Sequence, residues 1–225
     1  MNGLSDSIAW PSRDPQWIPK VLLNGLILLI PVVGQMVVYG WMLTAVDNLR
    51  AGRGELPPAG FSYLGRGVNL FVVFLVYTLA LLLVVGALLV GGAVIVVAGG
   101  DRAGLAPLGL FIDLLGYGLL ILAVLALYLL NPAIIVSTER GGISGGLDLP
   151  AVVRMVRVNF EAALQAGLFA LVAYLIGGLG AIACGIGQIF TAPYGFAILA
   201  AVVHHYERTS GERGPAVPVK GETAS

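Results

Sequence analysis

Asp113 and Tyr117 stand four residues apart inside a long apolar run, so on a helix they share a face, with Gly116 beside them. A carboxylate at bilayer depth costs at least ~2.5–3.5 kcal/mol on insertion scales, so such acids face a bundle interior or an aqueous cavity. The chemistry on offer is proton or ion relay, with the Tyr117 hydroxyl within reach of the carboxylate. The plainer reading places Asp113, six residues past Pro107 and thus ~9 Å along the helix, near the outer interface, where it is hydrated or locally hydrogen-bonded. One acid without a basic partner makes a thin relay, which weighs toward the plainer reading.

Other reactive residue types are sparse. The two histidines, His204 and His205, are adjacent, and neighbours on a helix point about 100° apart, so they do not chelate one metal from a single face. Cys184 is the single cysteine, so no intrachain disulfide forms, and no His or basic residue lies near it in sequence to lower its thiol pKa. Gly178-x-Gly180-x-x-Ala183 has the spacing of a dinucleotide fingerprint, but no strand precedes it, and close helix packing through small residues explains it better. No catalytic residue, metal site or cofactor is expected, and the chain is not expected to be an enzyme.

The elements that position these residues follow from composition. Of 225 residues, 58% are hydrophobic and 11% charged, and the formal net charge is zero. The mean hydropathy is +0.95. This excludes an ordinary cytosolic enzyme, and the lack of a basic excess argues against nucleic acid as a partner. The first twenty residues carry no apolar core of a signal peptide, so internal segments are expected to drive insertion.

A helix needs ~20 apolar residues to cross ~30 Å of hydrocarbon. The expected architecture is all-α, a polytopic transmembrane helical bundle with four full spans: Val68–Ala98, Pro107–Val136, about Ala162–Leu179 and about Gln188–Val203. Val68–Ala98 is longer than one perpendicular crossing, so it should tilt, kink near Gly91-Gly92 or project. A first stretch, Val21–Val46, is broken by Pro31 and Gly34 and forms either a kinked span or a re-entrant hairpin. In the hairpin arrangement eleven basic residues, among them Arg50, Arg66, Arg154, Arg157 and Arg208, share one side against Arg102 alone. In the kinked arrangement the count is nine against three. Either way the positive-inside rule places the C-terminus in the cytoplasm of a cell-membrane protein. The asymmetry, and the shortness of Val21–Ile30, favour the hairpin. Residues 1–20 should be interfacial, 21–207 one transmembrane domain and 208–225 a disordered tail.

Asp148 and Pro150 announce a short helix in which Arg154, Arg157 and Glu161 fall on one side and Val152, Val153, Val156 and Phe160 on the other. That is a basic amphipathic helix suited to a lipid surface. Trp10, Trp17, Trp41, Phe61 and Tyr63 are expected in the interfacial aromatic belt. Asn24, Gln35, Asn131 and Gln188 read as interhelical hydrogen-bonding residues, and Asn131-Pro132 as a kink. Gly34-Gln35 followed by Tyr39-Gly40-Trp41 echoes Gly187-Gln188 followed by Tyr194-Gly195-Phe196, though the words are short and their spacing differs.

An ordered series of words runs through the first third: Trp10-Pro11-Ser12-Arg13-Asp14-Pro15-Gln16-Trp17, Lys20, Ile30-Pro31-Val32-Val33-Gly34, Gly40-Trp41, Leu56-Pro57 and Gly67. In these the chain resembles a prokaryotic membrane family known as domain of unknown function 4013, closely over residues 8–70 and in hydropathy to about 207. The resemblance implies a polytopic bacterial or archaeal inner-membrane protein and supplies no catalytic residues. The expectation is a non-enzymatic accessory or scaffold that meets membrane lipids, and other membrane proteins or a second copy of itself, motivated by the lack of buried charge pairs and by the basic amphipathic face. The rival is a transporter or channel component using Asp113 and the broken first segment.

Overall fold

The computed structural model describes residues 5–99, 105–182 and 185–211, and every regular element among them is helical. They are α1 (Ser5–Ala9), α2 (Trp17–Leu28), α3 (Val33–Arg50), α4 (Leu64–Gly99), α5 (Leu105–Leu147), α6 (Leu149–Val158), α7 (Phe160–Gly178) and α8 (Gln188–Ser210). Four helical stretches, 61–99, 105–147, 160–181 and 188–210, are long and apolar enough to cross a membrane. They contain the four spans expected from hydropathy, and the chain is a multi-pass membrane protein. Arg102, Cys184 and the expected tail beyond Gly211 lie outside the described residues. The chain folds as two compact units, one of residues 1–71 with 129–225 and one of residues 72–128.

In the larger unit α8 is the hub, packing on α7, α3 and α2. Ala197–Val203 are buried without interruption, as in a helix apolar on all sides. Glycines let backbones meet there: a side chain on Gly195 would strike the backbone of Ala173 and Gly177, and one on Gly25 the backbone of Ile189.

The first segment is a hairpin, not a kinked span. Pro31 has no N–H to continue a helix, and Val32, just before α3, takes φ 66°, ψ −60°, a costly position for a β-branched residue. At the turn Gly34 lies against the backbone of Ile27 and Leu28, where a side chain would not fit. At the open end Lys20, on α2, reaches the carbonyl of Leu56 beyond α3 (2.8 Å).

The smaller unit is an α4–α5 hairpin. α4 has 36 residues and continues through Gly91-Gly92. Its ~54 Å length at ~1.5 Å per residue exceeds ~30 Å of hydrocarbon. Gly92, Gly109 and Gly116 form the seam: Gly92 faces Asp113 and Gly109, Gly109 faces Gly92 and Val96, and Gly116 faces Leu88 and Leu89. Within the larger unit, α5 continues past Pro132 and breaks at Gly142 (φ 63°, ψ −150°). The chain then folds back so that Ser137 Oγ donates to Gly145 O (2.8 Å).

Candidate functional site

The densest chemistry lies at one end of the larger unit, where four helices each deliver charge: Asp47 and Arg50 from α3, Arg66 from α4, Glu139 from α5 and Glu207 from α8. Four of the side chains close a ring of alternating sign. Arg50 Nη1 donates to Asp47 Oδ1 (2.8 Å) and Arg50 Nη2 to Glu139 Oε2 (2.5 Å). Arg66 Nη2 donates to Glu139 Oε1 (3.0 Å), and Arg66 Nη1 to Asp47 Oδ2 completes the circuit. Both oxygens of Asp47 and of Glu139 are thus used. Glu207 joins through a two-pronged bond with Arg50, Nε to Oε2 at 2.9 Å and Nη2 to Oε1.

The ring is largely withdrawn from water, with Glu207 4% and Glu139 7% exposed in their side chains, Arg50 19% and Arg66 30%. Burial works against the charge on Arg50, but Glu207 and Glu139 outweigh it and hold the guanidinium above its already high value. Three carboxylates against two guanidinium groups leave one negative charge in excess. Beside the ring opens a cleft of about 420 Å³ between Leu43, Leu70 and Ile135, with Asn69, Arg66 and Glu139 on its polar side.

The expectation that buried charge pairs are lacking is therefore corrected. Asp47, Arg50, Arg66, Glu139 and Glu207 each fall within about a turn of the end of an apolar run, where sequence alone assigns them to loops. The helices instead run on past the hydrophobic boundary, Glu139 and Glu207 included, so Asp113 is not the one acid within a spanning helix. The available signal was complementary: opposite charges at those ends of the runs that the positive-inside count had put on one side. Here Arg50 and Arg66 serve as ion-pair partners.

The words in the first third converge on a second lock. Asp14 accepts from the N–H of Gln16 (2.8 Å), from Lys20 Nζ (2.7 Å) and from the N–H of Leu56 (2.8 Å). Burial pushes the Asp14 carboxyl up, but Lys20 and the two backbone donors outweigh it and hold it below its ordinary 3.8. Trp41, fully buried, donates its ring N–H to Pro57 O (2.9 Å). Gly40 and Gly67 let α3 and α4 meet backbone to backbone. Trp10 and Trp41 are thus interior residues and not part of an aromatic belt, and the 51–60 loop folds back over Trp41. Phe61 is exposed.

The remaining expected positions separate. Asp113 lies in the smaller unit, its carboxylate against Gly92 and its Oδ1 buried without a hydrogen-bond partner among the described residues. Tyr117 points outward, 56% exposed, and does not hydrogen-bond that oxygen. Pro31 and Gly34 belong to the larger unit. Arg154 and Arg157 are exposed on α6, whose first turn Asp148 caps by accepting from the N–H of Ala151 (3.1 Å). Neither arginine makes an ion pair among the described residues. Among the described residues no group of three His, Cys, Asp or Glu stands close enough to hold a metal ion.

A family model described as a protein of unknown function, DUF4013, matches residues 23–186. No curated protein and no solved structure matches the chain.

Proposed function

The chain belongs to the DUF4013 family, and from that premise we propose that it is a non-enzymatic accessory protein of the cell membrane, engaging anionic lipid surfaces through α6. One observation carries this reading. Arg50 and Arg66 are consumed by internal acids, whereas Arg154 and Arg157 are exposed and unpaired beside the exposed apolar residues Leu149, Val158 and Phe160. A basic flank with an apolar edge is what a helix needs to lie in the headgroup layer, at about 1 kcal/mol per arginine on an anionic surface. The joint after α6 is tied down as well, since Asn159 Nδ2 donates to Ser210 O at the end of α8 (3.3 Å). The basic end, with the C-terminus, faces the cytoplasm in this reading, where anionic headgroups and partner proteins meet it.

The test uses the full chain in nanodiscs with a spin label at Val158. With phosphatidylglycerol present the label should become accessible to oxygen and shielded from a water-soluble nickel chelate, and Arg154→Glu with Arg157→Glu should reverse this. A label equally wet in neutral and anionic discs would overturn the reading.

A second reading, a carrier of protons or small ions, is favoured by the unpartnered Asp113 Oδ1 in its glycine seam. It requires Asp113→Asn to abolish flux in proteoliposomes.

A further inference from the structure

The larger unit contains a second cavity, of about 290 Å³, walled by α2, α3, α7 and α8. It sits over both hairpin turns. Leu28 and Gln35 flank the first turn, Gly178 and Gln188 flank the second, and all four line the cavity. Its hydrogen-bonding groups are the amides of Gln35 and Gln188 and the phenols of Tyr39 and Tyr174. Phe196 forms the aromatic wall, edge-on to Tyr39 at 5.4 Å and to Tyr174 at 6.3 Å between ring centroids. Behind it Asn131 Nδ2 donates to the Tyr174 hydroxyl (3.1 Å), fixing that phenol in place.

Three features specify what such a cavity accepts. Among the described residues the lining holds no acidic or basic side chain, so none of them compensates a full charge withdrawn from water. The two glutamine amides make no hydrogen bond among the described residues and present both donors and acceptors. The turns themselves carry exposed apolar residues, Leu29, Ile30 and Val32 on the first, Ile182 and Ile186 on the second. The mouth is greasy, and the interior is mostly apolar with a few uncharged polar groups. The echo between the words around Gln35 and Gln188 gains a physical meaning here. Both glutamines sit in the first turn of a helix, and α3 and α8 run side by side in the same direction, Tyr39 meeting Phe196 and Arg50 meeting Glu207.

We propose that this cavity binds the uncharged, oxygen-bearing head of a membrane amphiphile, with Gln35 and Gln188 as its hydrogen-bonding pair and the apolar turns against its tail. Pockets of this kind, mostly apolar with a few placed polar groups, fix a ligand by those groups. Two sources share this chemistry, a quinone ring and the hydroxyl and ester oxygens of an acylglycerol.

Full-length protein in phosphatidylcholine nanodiscs, titrated with tritiated decyl-benzoquinone in one arm and dioctanoylglycerol in the other, tests it. At least one probe should bind saturably, one per chain. Gln35→Leu and Gln188→Leu should each weaken that binding about tenfold, as expected for losing a buried hydrogen bond, while Gln35→Asn retains most of it. Both glutamines are exposed, so the variants should fold, and helical circular dichroism checks this. Linear partitioning of both probes, or binding indifferent to both leucine variants, overturns the proposal. So does a phosphatidylglycerol probe that binds better than either neutral one with the same sensitivity.

Discussion

Around Arg50 five charged side chains from four helices satisfy one another, whereas Asp113 stands in the α4–α5 seam with an oxygen that has no hydrogen-bond partner among the described residues. The first arrangement suits a place where long side chains converge from several helices: each carboxylate of the ring uses both oxygens, and the guanidinium groups bridge between helices. The second suits a two-helix contact, where a missing side chain at Gly92 leaves room for a carboxylate and little else. Charge serves as cement where its neighbours complete its coordination, whether side chains from several helices at the ring or Lys20 and two backbone N–H groups at Asp14. Where two helices touch, the same group is either a cost or a working part.

The largest effect should come from opening the ring. Arg50→Met removes the guanidinium that ties Glu207 to the ring and leaves Glu139 to Arg66, and should cost about 3–5 kcal/mol, read by denaturant unfolding in micelles. Adding Glu139→Gln and Glu207→Gln to that variant should recover most of the loss, since removing a buried charge together with its partners is far cheaper than leaving those partners behind. A loss below about 1 kcal/mol, the range of an exposed pair, would place the ring in water and break the comparison.

Asp113 should respond with the opposite sign. Asp113→Asn removes a charge without removing a partner, so the protein should gain stability, by up to ~2.5 kcal/mol for a carboxylate deep in hydrocarbon. The same variant assayed for flux separates the accessory and carrier readings: stability without lost transport leaves Asp113 a tolerated cost, and stability gained with transport lost makes it a working part.

The smallest effect concerns the lock at Asp14. Its carboxyl is held below 3.8, so the lock contributes above that value and the contribution fades as pH falls beneath it. Labelling of Ser7 as cysteine, a buried position, should therefore speed up as pH falls below about 4 when read with an acid-tolerant disulfide probe. Asp14→Asn should be faster already at neutral pH and lose that acid step.

Much of this fold is legible in the residues because lipid imposes a simple rule, that backbone groups be satisfied within the helix. Runs such as Val68–Ala98 declare themselves by length, and Asp148 with Pro150 announces α6 by local capping chemistry alone. The charged ring is hard to read for the converse reason. Asp47, Glu139 and Glu207 are separated by 92 and 68 residues, and nothing local to any of them states that it faces an arginine. Trp41 is hard to place for a similar reason, since an aromatic near the end of an apolar run fits a membrane interface and what buries this one is the distant 51–60 loop.

That the chain is helical and membrane-borne, where its spans lie and that Pro31 interrupts the first of its apolar stretches are all written in the residues, because helix propensity, hydropathy and proline's missing donor act within a few positions. That the interrupted stretch closes into a hairpin, that five scattered charges meet and that Gln35 and Gln188 share a cavity are matters of packing. Those outcomes depend on which helix faces are brought together by glycine-mediated contacts, and packing is a property of pairs of surfaces that no single segment contains.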